Sequence, residues 1–251
     1  MKRVSIYSVS FANSYPLNWG IMNGETSKYS DLRLTHPSAI PQAVRSGRAF
    51  AGLLPIAAIP GLPTYHIFGE HCIGSYGKVR TVTLFSALPA DKIERIYLDY
   101  RSVTSVRLIK VIAKHHWKRK YEWMNTEPGF NPLDISDRDG VLIIGDSCFS
   151  MEGKFQYSYD LGEEWTDLTG LPFIYACWVS AERPEKQFIK EFINDIARGI
   201  ENSEQAVSEL NNLPGVSDSE VTRYIRENID YSLDSIKMEA MKLFFDYLGR
   251  L

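Results

Sequence analysis

The apolar run FIYACWV, Phe173 to Val179, matches the strands that open the chain, yet a stretch with a texture of its own lies between them. Before that stretch, strand-like runs occur in RVSIYSVSF, DLRLTHPS, FAGLLPIAAIP, YHIFGEHCIGS and VRTVTLFSAL. PSAIPQAVRSGRA reads as a helix among them, with Ser38 placed to cap it and Gly47 to end it. From about Pro89 to Pro172 the chain then builds a second strand–helix–strand unit. PADKIERIYLDYRS holds a strand, and SVTSVRLIKVIAKHHW an amphipathic helix with Val106, Ile109, Val111, Ile112 and Trp117 on one side. YEWMNTEPGFNPLD is extended, GVLIIGDSCF is a strand, and a short helix falls around Glu163 to Leu168. After Val179 the pattern is helical to the end. Strands alternating with helices imply an α/β fold with mostly parallel sheets. The return of an apolar strand implies a discontinuous first lobe, residues 1–88 with 173–251, and a second lobe of residues 89–172. Two crossings between lobes leave a cleft, and clefts at domain interfaces are favoured ligand sites.

Composition narrows the function classes. With 44% hydrophobic residues in 251, a sizeable core is available. The net charge of −3 and the lack of a basic stripe argue against nucleic acid as a partner. The single basic run, KHHWKRK, suits the carboxyl end of a helix. Cys72, Cys148 and Cys177 are odd in number and far apart, in apolar segments. That spacing argues against a disulfide framework or a Cys/His metal site, and for a reducing compartment. No apolar leader core or membrane-length run is visible, so a cytoplasmic protein without a membrane partner is expected. The five histidines form no known catalytic or metal motif, and no glycine-rich nucleotide loop is present.

Several short stretches carry polar groups where ligands of α/β sheets gather. SFANSYPL places Asn13 and Ser14 just past a strand, as turn residues or as ligand contacts. HCIGSYGKVRTVTLFS joins two strands through Gly74, Ser75 and Gly77, which suits either a tight turn or a backbone that approaches an anion. DYRSVTSVRL sets Asp99 after a strand and Ser102, Thr104 and Ser105 at a helix mouth, where hydroxyls cap the helix and free N–H groups attract anions. Asp146 follows Gly145 at another strand end. Asp160, Glu163 and Glu164 in DLGEEW could do acid–base work, but a short acidic surface helix is the simpler reading.

Five of these stretches together resemble the chorismate dehydratase family of the futalosine route to menaquinone. SVSFANSYPLNWGI resembles its opening strand and Asn-x-x-Pro-Leu, and CIGSYGKVRTVTLFS its loop and strand after the fourth strand. LDYRSVTSVRL resembles its Ser-Arg-Thr-Ser helix start, and LIIGDSCF and YDLGEEWTDLTGLPFIYACWV its late motifs. The resemblance implies a type II periplasmic-binding-protein-like fold, with two α/β lobes around a central cleft and a helical C-terminus. It implies a cofactor-free, metal-free lyase that takes water from chorismate, with a small-molecule substrate as partner and a homodimer left open. By the resemblance Asn13 and Thr81 would be catalytic. Ser14, Gly74, Ser75, Ser102, Thr104, Ser105 and Asp146 would bind substrate. Val103 stands where the family has arginine, so no arginine clamp on a carboxylate carries over. Phe50 replaces a usual aspartate, and Tyr76-Gly77-Lys78 replaces a frequent Asp-Gly-Pro. Two alternatives remain. One is a non-catalytic binding protein of the same fold for a small carboxylate. The other is the later enzyme acting on cyclic dehypoxanthinyl futalosine, whose opening resembles a Cys-Pro-Asn-Asp-Thr absent here.

Overall fold

The computed structural model describes residues 3–251. Four strands open the first sheet: β1 (Val4–Val9), β2 (Ser30–Thr35), β3 (Ala51–Pro55) and β4 (His66–Ser75). The chain then crosses to a second sheet made of β5 (Val82–Ser86), β6 (Arg95–Leu98), β7 (Glu122–Asn125), β8 (Asp139–Ile144) and β9 (Tyr157–Asp160). It returns through β10 (Phe173–Ser180) and ends the first sheet with β11 (Asp230–Ser232). The strand orders are β11-β4-β10-β3-β1-β2 and β7-β6-β8-β5-β9.

Both sheets are mixed, where the alternation of strands and helices predicts mostly parallel ones. β1 runs parallel to β2 and β3, and β6 parallel to β7 and β8. Apart from the antiparallel edge pair of β11 with β4, the exceptions follow the two crossings. β5 enters the second sheet antiparallel to β8 and β9, and β10 re-enters the first antiparallel to β3 and β4. A strand that arrives from the other sheet is not bound by the crossover helix that keeps neighbouring strands parallel. The same crossing places Val82–Ser86 in the second sheet, although the sequence groups it with the first lobe.

Helices cover the sheets. α1 (Tyr15–Asn23), α2 (Ile40–Arg45), α6 (Lys186–Glu201), α7 (Ser203–Leu210) and α8 (Asp218–Asn228) accompany the first sheet. α3 (Thr104–His115), α4 (Ser147–Met151) and α5 (Leu161–Thr169) accompany the second. α9 (Ser235–Leu248) packs on β10 and reaches α3. The helical spacing of Phe188, Phe192 and Ile196 lays one apolar stripe of α6 on the sheet, where Phe192 meets Trp178 of β10 edge-on at 4.8 Å. Phe244 of α9 meets both Trp165 of α5 and Phe173 of β10 edge-on, so the two lobes share one continuous core. Each such buried ring contributes roughly 1.5–3 kcal/mol.

Two local expectations fail. Ser38 does not cap α2; it sits in a short 3-10 turn, Pro37–Ala39, and α2 has no side-chain cap. The C-terminal part is not wholly helical, because β11 adds an edge strand to β4. Among the described residues, no helix is long and apolar enough to cross a membrane.

Candidate active site at the strand ends

A cavity opens where the carboxyl ends of β1, β3, β6 and β8 converge between the two sheets. Its walls include Phe11 and Asn13 after β1, Pro55 at the end of β3 and Ile73 of β4. The crossing segment adds Val79 and Thr81. The mouth of α3 adds Ser102 through Ser105, the end of β8 adds Gly145, and β10 adds Tyr175. Its volume is about 60 Å³, enough for several waters. Carboxyl ends of parallel strands are where α/β folds collect their ligands.

Of the residues singled out in the sequence, Asn13, Thr81, Ser102, Thr104 and Ser105 line this cavity. Asn13 Oδ1 is buried and accepts no hydrogen bond within the protein. Thr81 Oγ1 lies 2.7 Å from Tyr224 Oη of α8, and that phenol also neighbours the Asn13 amide without reaching hydrogen-bond geometry. Burial in this apolar setting pushes the Tyr224 phenol far up, so it stays protonated. Ser102 Oγ accepts the Ser105 N–H at 3.0 Å and so caps the start of α3. The Thr104 hydroxyl is occupied: it donates to the Tyr175 carbonyl at 3.0 Å and accepts the Ala57 N–H at 3.3 Å. Thr104 therefore pins α3 to the first lobe and has no spare proton for a ligand.

Ser14, Gly74, Ser75 and Asp146 are not among the cavity walls. Ser14 Oγ lies 2.6 Å from the Val9 carbonyl and 2.7 Å from that of Phe11, which ties the turn after β1. Gly74 and Ser75 belong to β4 rather than to a loop. A Cβ on Gly74 would lie 3.0 Å from the Phe173 carbonyl oxygen, so its place is set by close strand packing. The hydroxyls of Ser75 and Tyr175 pair at 3.2 Å, so Ser75 stands behind a wall residue. The Ala12 N–H donates to Asp146 Oδ1 at 3.0 Å, which joins the second lobe to the turn after β1. Burial pushes the Asp146 carboxyl up to about 6; the Ala12 N–H and the Arg101 charge pull the other way.

Phe11 and Arg101, which the sequence did not single out, complete the site around Gly145. Gly145 has φ of +66°, and a Cβ there would meet the Phe11 ring at 2.7 Å. The absence of a side chain lets Phe11 close over the end of β8. Arg101 sits over the same ring, 5.7 Å from its centroid, and is held by a two-pronged pair with Asp99 at 2.9 and 2.7 Å. Asp99, a candidate in its own right, is thus spent on orienting Arg101. Asp160 is a cap: its carboxylate accepts N–H groups of Val79, Arg80, Gly162 and Glu163. Glu164 accepts the Trp117 indole N–H at 2.7 Å, so the acidic stretch holds structure together. Among the described residues, no charged side chain is part of the cavity walls.

Solved structures place the fold. A protein from Archaeoglobus fulgidus superposes with a TM-score of 0.80 at 12% identity, covering 99% of this chain and 97% of its own. A Candida albicans gene product, described as having the generic periplasmic binding protein fold, superposes with a TM-score of 0.66 at 10% identity, covering 100% and 91%. The architecture is periplasmic-binding-protein-like, two α/β lobes around a central cleft. In sequence, the chain is 27% identical over 202 residues to a chorismate dehydratase from Thermus thermophilus, 72% of either chain. The profile of the menaquinone biosynthesis family matches residues 4–250. This chain belongs to the menaquinone biosynthesis family.

Proposed function

We propose that the protein dehydrates chorismate to 3-[(1-carboxyvinyl)oxy]benzoate, a carbon–oxygen lyase step. The observation that carries this reading is the buried, unpartnered Asn13 Oδ1 beside the Thr81 hydroxyl in a cavity at the strand ends. An unpaired buried polar atom costs about 1–3 kcal/mol, a cost that a ligand hydroxyl donating to it would remove. The name of the Thermus relative supports the same substrate.

Chorismate loses a ring hydroxyl and a ring proton, and its ring becomes aromatic. The reaction is downhill, so the protein's task is orientation. In this reading Asn13 and Thr81 hold the departing hydroxyl. The first turn of α3, with Ser102 and Ser105, receives a carboxylate at the positive end of the helix dipole. As the family resemblance implies, the ring proton passes to the substrate's own side-chain carboxylate; among the described residues no charged or imidazole side chain lines the cavity.

A second reading, a binding protein that captures a small carboxylate without chemistry, draws on the same uncharged wall. Turnover of chorismate by the parent separates the two, and Asn13→Ala then tests the site. A lyase loses turnover by a factor on the order of 100, as for removal of one charge-stabilising group, with its thermal midpoint nearly unchanged. Near-normal turnover in this variant would remove Asn13 from the mechanism.

A further inference from the structure

Thr81 does not stand alone. The segment that carries it between the sheets is clamped by α8 at two successive positions. Glu220 and Tyr224 are four residues apart and share one face of α8. Glu220 accepts from the Arg80 guanidinium at 2.6 Å, and Tyr224 Oη meets Thr81 Oγ1 at 2.7 Å. The Arg80 guanidinium also pairs with Glu152 of the second lobe and lies 4.8 Å from the centroid of the Phe149 ring. That ring meets Tyr224 edge-on at 5.3 Å. Arg80 has φ of +66°, a conformation unfavourable for a residue with a side chain, and its N–H is held by Asp160 at 2.6 Å. Just beyond α8, Tyr231 Oη donates to the Asn13 carbonyl at 2.7 Å. The C-terminal segment thus reaches both residues assigned to the departing hydroxyl.

We propose that Tyr224 is a positioning residue that acts through Thr81, aiming the threonine hydroxyl into the cavity beside the Asn13 amide. Tyr224 is 1% exposed and is not among the walls, so it acts at one remove. Either hydroxyl can donate in this pair; with the phenol as donor to Thr81 Oγ1, the threonine's own proton is left free for a ligand oxygen. Without the phenol that proton has no fixed direction. The inference rests on the lyase reading of the cavity.

The test is a double-mutant cycle of Tyr224→Phe and Thr81→Val, with kcat and KM for chorismate and the thermal midpoint of each variant. Tyr224→Phe is expected to lower kcat about tenfold at a KM within about twofold of the parent. It is expected to have no further effect on kcat once Thr81 is valine. An equal loss in both backgrounds, or unchanged kcat, overturns the proposal. If Tyr224→Phe does not fold, Glu220→Gln, which loosens the same helix from Arg80, goes through the same cycle with the same criteria. If the parent protein shows no turnover, the lyase reading fails separately, and the cycle is read on the dissociation constant for chorismate. Coupling there upholds the positioning role; independent effects or no binding overturn it.

Discussion

At the scale of single residues, burial decides what each polar group does. Asp146 and Asn13 both follow strand ends, and the sequence does not separate them. The structure gives Asp146 a backbone partner in the other lobe and leaves Asn13 Oδ1 without one. The Asp146 carboxyl rises from 3.8 to about 6, with burial as the main cause. The folded state therefore binds this proton more tightly than the unfolded chain. The resulting stability is full below about pH 4 and is lost as pH rises through about 6. Asp146→Asn keeps an acceptor for the Ala12 N–H and removes the titration. The free energy of unfolding of the parent should fall relative to this variant between those two pH values, the variant profile being the flatter. Asp160 and Glu164 are also raised by burial, so the difference between the two profiles carries the test. Parallel profiles would show that Asp146 does not titrate in that range.

At the scale of elements, strong local patterns were legible in the sequence. The apolar runs that form β1, β3, β8 and β10, and the Val106, Ile109, Val111 and Ile112 stripe on α3, stand where their periodicity puts them, while Trp117 lies just beyond the helix end. Elements whose burial comes from distant partners were not. β9 is Tyr-Ser-Tyr-Asp, with no apolar run, and is a strand because β5 offers it an edge. β11 is three residues long and forms on β4. Tyr224 carries no signal of its own in the helical stretch SDSEVTRYIREN; only the fold brings its hydroxyl within 2.7 Å of Thr81 Oγ1. Asp160 is the clearest case of one side chain serving two elements, since it caps α5 and holds the Val79–Arg80 backbone. Asp160→Ala should lower stability by roughly 2–4 kcal/mol, a lost cap plus unpaired buried N–H groups. A urea titration measures it, and a loss below about 0.5 kcal/mol, the range of ordinary surface changes, would contradict the assignment.

At the scale of the whole molecule, the return of β10 to the first sheet was legible because it repeats the apolar character of the early strands. The exact crossing was not, because Val82–Ser86 is as apolar as the strands of the first sheet and gives no sign of which sheet it joins. The cleft is closed by contacts that pair the turn after β1 with the second lobe: Ala12 with Asp146, and Phe11 with Gly145 and Arg101. Gly145→Ala should push Phe11 away and weaken chorismate binding roughly tenfold, about 1.4 kcal/mol of closure. Phe11→Leu, added to that variant, should restore part of the affinity by making room. Calorimetric titration of the three proteins decides it; an unchanged affinity in Gly145→Ala would separate this contact from ligand binding.

In the proposed reaction this cavity performs an elimination on chorismate. The most direct measurement mixes the purified protein with chorismate and follows the mixture by mass spectrometry against a heat-killed control. A new species lighter than chorismate by one water, formed only with the active protein, is expected. Chorismate that persists unchanged while it raises the thermal midpoint of the protein would contradict the lyase and leave a binding protein in its place.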